Sequence, residues 1–179
     1  MKLFDRILAA TDFSPASAPA IAEAIRIAGV TGAELLVVNA YESPGTMTFG
    51  PYVASATFYD EIESALRGGA EKGLRPLAEQ ARKAGVHVKS EVLRGVPSLA
   101  ITNAARTRRA DLIVIGTHGR GGISRFLLGS VAQKVVATAP CPVLTVRAAS
   151  ASPGDRPKVR GKRPASTGSG ARRRPAARN

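Results

Sequence analysis

Cysteine and aromatic residues are the scarcest materials in this chain of 179 residues: it has one cysteine, Cys141, and Phe, Trp and Tyr together make up 4%. A lone cysteine cannot form an internal disulfide. With so few rings, a core must be packed from alanine, valine, leucine and isoleucine, and a hydrophobic content of 44% supplies enough of them for one domain. No apolar run approaches the ~20 residues that a membrane span needs. The N-terminus enters a strand-like pattern at once, without the basic start, apolar stretch and cleavage site of a signal peptide. These absences predict a soluble, cytoplasmic protein with no membrane partner. His, Cys and acidic residues do not cluster at metal-ligand spacing, so no metal centre is expected. Acids are outnumbered, 13 against 26 Lys and Arg, which leaves a formal charge of +13.

That charge is uneven. Residues 148–179 hold nine Lys/Arg and one acid, Asp155, whereas residues 1–147 hold seventeen Lys/Arg and twelve acids. The basic segment is rich in Pro, Gly, Ser, Ala and Arg, with Val159 as its only large apolar residue. Such a stretch cannot bury enough surface to offset its ordering entropy. The expected organisation is a folded domain over residues 1–147 and a disordered basic tail over 148–179. Arg-rich tails attract nucleic acid or anionic surfaces in a salt-sensitive way. This one has no aromatic residue for base stacking, so it is either a non-specific nucleic-acid contact or a solubilising extension.

The first 147 residues alternate between strand and helix signals. Leu3 to Ala10 reads as a strand; Ser14 then offers an N-cap to a helix starting at Pro15. Ile21, Ala24, Ile25 and Ala28 give that helix an apolar face, and Gly29 ends it. A second strand spans Glu34 to Tyr41, and a longer loop Ser43 to Thr57. Helix signals return over Phe58 to Lys83, where Pro76 should break or kink the helix. Val86 to Leu93 is a third strand, Gly95-Val96-Pro97 a turn, and Ser98 to Arg108 a helix. Asp111 to Gly116 is a strand buried on both faces, Gly129-Ser130 opens a helix to about Thr138, and Val143 to Arg147 is the last strand. Five strands joined by four helices predict an α/β fold with a doubly wound parallel sheet and helices on both faces, whose strand order is taken as 3-2-1-4-5. Ligands of such sheets sit outside the carboxyl ends of the strands where strand order reverses. Here that point lies between the Thr11-Asp12 turn and the loop after Gly116.

The second of these loops carries the strongest chemical signal. Gly116-Thr117-His118-Gly119-Arg120-Gly121-Gly122 lets backbone amides converge on one spot. Gly129-Ser130 then presents a helix N-terminus suited to phosphate oxygens, the Ser130 hydroxyl adds a donor, and Arg120 or Arg125 supplies positive charge. A tight turn followed by a capped helix would carry the same residues. Gly122 stands where a P-loop needs lysine, and the three-glycine dinucleotide pattern after the first strand is absent. Taken by itself, Asp12 reads more readily as a helix-proximal cap or turn residue, and His118 equally as a phosphate donor or an exposed loop residue. His87 and Cys141 read as structural.

The spacing of Gly116, Gly119, Gly129 and Ser130 resembles the nucleotide-binding pattern G-x2-G-x9-G-S/T of the universal stress protein family. The resemblance extends over residues 1–147 through Ile7-Leu8-Ala9-Ala10-Thr11-Asp12-Phe13-Ser14, Gly95-Val96-Pro97 and Ala139-Pro140-Cys141-Pro142-Val143-Leu144. It implies an ATP-binding protein of the stress response, a binding module gated by its nucleotide, with magnesium optional. Asp12 would contact the ribose, with Ala10 and Thr11 beside the adenine and Ala40 meeting the adenine through its backbone. Gly116, Gly119, Gly129 and Ser130 would hold the phosphates, with His118, Arg120 and Val131 close by. One departure is Asn39, where many members carry histidine. Asp12 is the only acid in these loops and the resemblance commits it to ribose, so no general base for hydrolysis is evident. At most a slow ATPase is expected. The resemblance also implies a homodimer formed through the last strand.

Overall fold

Four of the five residues of β1 (Arg6–Ala10) and all of β4 (Leu112–Gly116) are buried, which is why both read as unbroken apolar runs. The structure, a computed structural model, describes residues 3–43, 56–117 and 128–148, all within one compact unit, Met1–Ala149. The remaining elements are α1 (Ala18–Thr31), β2 (Glu34–Tyr41), α2 (Ala56–Lys83), β3 (Val88–Arg94), α3 (Pro97–Thr107), α4 (Ser130–Thr138) and β5 (Val143–Val146). The sheet is parallel throughout and ordered β3-β2-β1-β4-β5, the order expected. The long loop expected at Ser43 to Thr57 falls largely outside the described residues, and so does the tail expected from Ala148 onward.

Alternation along the strands divides the core into two layers. Ile7, Ala9, Leu35, Val37, Leu112 and Val114 face α1 and α2. Leu8, Ala10, Val38, Ile113 and Ile115 face α3 and α4. At the amino ends of the strands, the Asp111 carboxylate accepts the backbone N–H of Asp5 at 2.7 Å and of Arg6 at 3.3 Å. Asp111 is therefore a staple between β1 and β4, placed just before the strand it was expected to begin.

Several boundaries differ from the sequence expectation, each for a physical reason. Leu3 is 75% exposed and lies outside β1, which starts at Arg6. Helix α1 starts at Ala18, with Ser17 at its cap position and Pro19 in its first turn, rather than at Ser14 and Pro15. Ser14 is instead engaged by Asp12. The helix runs past Gly29 to Thr31 and ends at Gly32, whose left-handed backbone (φ 68°) lets its N–H reach the Ala28 carbonyl. Helix α2 continues through Pro76. Ala70, Leu74, Ala78 and Ala81 are buried along one face of it, whereas Pro76 is exposed. The carbonyl of Lys72, which loses its helical partner to the proline, belongs to a residue that is also exposed. Among the described residues no helix is long and apolar enough to cross a membrane.

Candidate functional site

Beyond β1 the chain makes a turn held almost entirely by short side chains. Thr11 donates its N–H to the Val38 carbonyl at 2.9 Å, extending the ladder to β2 by one residue. Its hydroxyl is buried 3.0 Å from Ser17 Oγ and accepts the N–H of Phe13 at 3.0 Å. Asp12 Oδ1 accepts both the N–H of Ser14 (3.0 Å) and its hydroxyl (2.6 Å). The Ser17 hydroxyl donates to the Ser14 carbonyl at 3.0 Å. One assignment of hydroxyl protons satisfies the whole set: Thr11 to Ser17, Ser17 to the Ser14 carbonyl, Ser14 to Asp12. The result is a pair of interlocked side-chain turns that fixes the direction of the Asp12 carboxylate.

Two further residues clamp this turn. Asn39, 8% exposed at the end of β2, donates its side-chain amide to the Thr11 carbonyl at 2.8 Å. Phe13 has a left-handed backbone, φ 63°, a conformation that costs a non-glycine residue roughly 1–3 kcal/mol and persists only where its surroundings enforce it. Its half-buried ring packs on the core layer of α1 and α2.

The end of β4 lies alongside, since Ala10 and Ile115 are partners in the ladder. Thr117 donates its N–H to the Val146 carbonyl at 2.9 Å, and the N–H of Gly129 returns to the Thr117 carbonyl at 2.7 Å. The chain thus leaves β4 and re-enters at α4 through one point. Gly129, the N-cap of α4, has no side chain to cap the helix. The N–H of Gln133 bonds the Gly129 carbonyl, so the amides of Ser130, Val131 and Ala132 precede the first helical bond. Such amides, at the positive end of the helix dipole, are suited to an anionic oxygen.

Of the sequence-predicted residues, Ala10, Thr11, Asp12, Gly116, Gly129, Ser130 and Val131 fall at the carboxyl ends of β1 and β4 and the start of α4. Ala10, Thr11 and Gly116 are buried and Ser130 is exposed. Ala40 sits one strand away, half-buried near the end of β2 and paired with Leu93. His118, Gly119 and Arg120 lie outside the described residues, as do Gly121, Gly122 and Arg125.

Sequence reasoning missed the second set of groups at this end of the sheet. Arg94 Nε lies 3.1 Å from Glu63 Oε1. Ser43 donates to Glu63 at 3.0 Å and accepts from Arg94 at 3.1 Å, and the Tyr41 hydroxyl donates to Glu63 at 3.4 Å. Burial, reinforced by the Glu63 charge, raises the Tyr41 pKa, so its hydroxyl stays protonated. This network ties α2 to the ends of β2 and β3. No local pattern announces it, because its members are far apart in sequence.

The two residues read as structural sit away from these turns. His87, 77% exposed, lies just before β3, 4.0 Å from Glu34 at the amino end of the sheet. Cys141 is half-buried. Burial first, and then the Asp111 charge, raise its thiol pKa, which favours the protonated thiol over the nucleophilic thiolate. Among the described residues, no cluster of His, Cys and acids could hold a metal ion.

Comparison with known proteins gives this arrangement a context. Residues 3–147 match the model of the universal stress protein family. A universal stress protein of Thermus aquaticus is 42% identical over 146 residues, which cover 81% of this chain and all of the relative. The universal stress protein UspA of Lactobacillus plantarum superposes with a TM-score of 0.71 at 28% identity, covering 80% of this chain and 97% of that one. A universal stress protein crystallised in complex with cAMP superposes with a TM-score of 0.57 at 27% identity, covering 80% and 97%.

Proposed function

This chain belongs to the universal stress protein family, and on that premise we propose that it is an ATP-binding stress-response protein whose nucleotide occupancy governs its interactions. The observation that carries this reading is that two complementary features stand at the carboxyl ends of the neighbouring strands β1 and β4, where strand order reverses. One is a carboxylate locked in direction by Ser14. The other is a helix N-terminus capped by a glycine with no side chain.

In this reading Asp12 accepts the ribose hydroxyls, with Ala10, Thr11 and Ala40 bordering the adenine. Gly116, Gly119, Gly129 and Ser130 receive the phosphates, with His118, Arg120 and Val131 adjoining; any magnesium arrives with the nucleotide. The cAMP complex of a related protein supports an adenine nucleotide as the ligand class. Binding with little turnover fits best, because Asp12 is the only acid between residues 10 and 17 or between 116 and 130, and the ribose occupies it.

The experiment is to purify the full chain, identify the co-purifying small molecule and titrate ATP, ADP, AMP and cAMP into stripped protein. ATP should bind, Gly129→Val should abolish binding by filling the phosphate approach, and Asp12→Ala should weaken it about tenfold or more, the loss of a charge-assisted hydrogen bond. Wild-type protein that binds none of these at millimolar concentration would refute the reading.

The two sheet edges support a homodimer through β5. The β3 edge carries Lys89, Ser90 and Glu91, the charged protection typical of an edge that stays single. The β5 edge, Val-Leu-Thr-Val, carries no charge and is half-buried throughout. A monomer in sedimentation equilibrium at micromolar concentration would exclude this pairing. We further propose residues 148–179 as a separate basic segment that contacts nucleic acid without sequence preference, on the strength of nine Lys/Arg against one acid. Truncation after Arg147 should then abolish salt-sensitive retention on DNA, and unchanged retention would exclude that role.

A further inference from the structure

Gly73 lies in the middle of α2, next to the buried Leu74, where glycine weakens a helix relative to alanine. Its reason is on the other side of the interface. A Cβ on Gly73 would stand 2.8 Å from both Cε1 and Cζ of Phe13 and 3.0 Å from Cδ1, closer than packed carbon atoms approach. The other two glycines of the helix differ: among the described residues nothing lies within 4 Å of a Cβ on Gly68 or Gly69. The glycine at 73 is therefore a recess, and the ring of Phe13 occupies it.

Phe13 directly follows Asp12, with its backbone in the left-handed region. Its N–H is bound to the Thr11 hydroxyl, and its ring packs on the core layer formed with α1 and α2. The ring is thus held on the core side and by its own backbone, and a methyl group at position 73 would press on it from α2. That pressure would bear on the residue next to the Asp12 carboxylate.

We propose that Gly73 is a positioning residue of the nucleotide site: the side chain it lacks is the seat of Phe13, and that seat holds Asp12 in place. Helix α2 is then part of the ribose-binding machinery through Phe13. The assignment of Asp12 to ribose rests on the function proposed above; the seating of Phe13 does not.

The test uses the full chain and four variants: Gly73→Ala, Gly68→Ala, Phe13→Ala and the double variant Phe13→Ala/Gly73→Ala. Gly68→Ala, an alanine added where space is open, should bind ATP as wild type does. Gly73→Ala should bind about tenfold more weakly, the scale of one disturbed charge-assisted hydrogen bond. In the Phe13→Ala background, where the ring is gone, the same Gly73→Ala change should have almost no further effect; this non-additivity separates a seat for Phe13 from a general weakening of the helix. ATP affinity unchanged by Gly73→Ala, or an equal loss in both backgrounds, overturns the proposal.

Amide spectra of the ligand-free proteins supply a readout independent of nucleotide. Gly73→Ala should shift the Asp12, Phe13 and Ser14 resonances and leave Gly129 and Ser130 near their wild-type positions. A chain that binds no nucleotide would refute the proposed function, while unmoved Asp12 and Ser14 resonances would refute the role of Gly73. Should Gly73→Ala fail to fold, Phe13→Leu empties part of the seat without adding an atom to α2. It should weaken ATP binding, and wild-type affinity in that variant would overturn the proposal.

Discussion

Replacing Asn39 tests whether the Asp12 turn is held from β2. Its side-chain amide, 8% exposed, donates to the Thr11 carbonyl at 2.8 Å. Leucine keeps nearly the same shape but offers no donor, so Asn39→Leu leaves that carbonyl without its partner. The net loss for a buried group left unsatisfied is about 1–3 kcal/mol. For a domain of about 150 residues, a loss of 2 kcal/mol lowers Tm by roughly 4–8 °C. Asn39→Asp is more informative because its effect depends on pH. When ionised, the introduced side chain sets a carboxylate oxygen against a carbonyl oxygen, whereas its protonated form donates to that carbonyl. Burial and the loss of that donor on ionisation both raise the folded-state pKa above the unfolded value near 3.9. The stability linked to this group is then fully present below the unfolded pKa and lost as pH rises through the folded pKa. Denaturant unfolding of wild type and Asn39→Asp in parallel, from pH 3.5 to 8, should show a stability gap that widens with pH. Taking the gap between the two proteins removes the acid sensitivity they share. A constant gap, or an Asn39→Leu variant as stable as wild type, would show that this hydrogen bond does not hold the turn.

Two further predictions address stability away from the site. Gly68→Ala and Gly69→Ala, at helix positions with open space around them, should each stabilise the chain by roughly 1 kcal/mol; destabilisation on chemical denaturation would mean that the space is needed. The hydrogen bond from Lys89 (2.6 Å) is the main cause that lowers the Glu34 pKa, opposed by desolvation and reinforced by the charges of Lys89, His87 and Arg6. Its contribution is present above the unfolded pKa and lost as pH falls through the folded one. Because Lys89 is 67% exposed, solvent screening keeps it to about 1 kcal/mol at most. Glu34→Gln should therefore lower stability slightly at pH 7 and match wild type near pH 3, and a difference that persisted in acid would refute the pairing.

The strand pattern was legible because β1 and β4 are buried on both faces, so their apolar runs have no polar interruption. What escaped were choices settled between elements. Ser14 and Ser17 both suit a helix N-cap, and only the buried contact of Ser17 with Thr11 and the capture of Ser14 by Asp12 decide between them. Pro76 obeys a local rule against helix continuation, yet packing of Leu74, Ala78 and Ala81 outweighs the one hydrogen bond it removes. Gly32 ends α1 rather than Gly29, because the helix stops where the backbone turns left-handed and not at the first glycine it meets.

The site divides along the same line. The places of Asp12, Gly116, Gly129 and Ser130 at the carboxyl ends of β1 and β4 and the start of α4 could be read from strand ends and glycine spacing, since each sits where the chain itself must turn. Phe13 against Gly73, and Glu63 against Arg94, join residues distant in sequence, and nothing local distinguishes Gly73 from Gly68 or Gly69. Asn39 shows why residue type can mislead even where position is right. By the resemblance alone it would be set aside as an asparagine where histidine is expected. The Thr11 carbonyl requires only a donor from the end of β2, and either side chain has an N–H to give. At this position the side-chain N–H is what matters to the fold, because it restrains the Asp12 turn from β2.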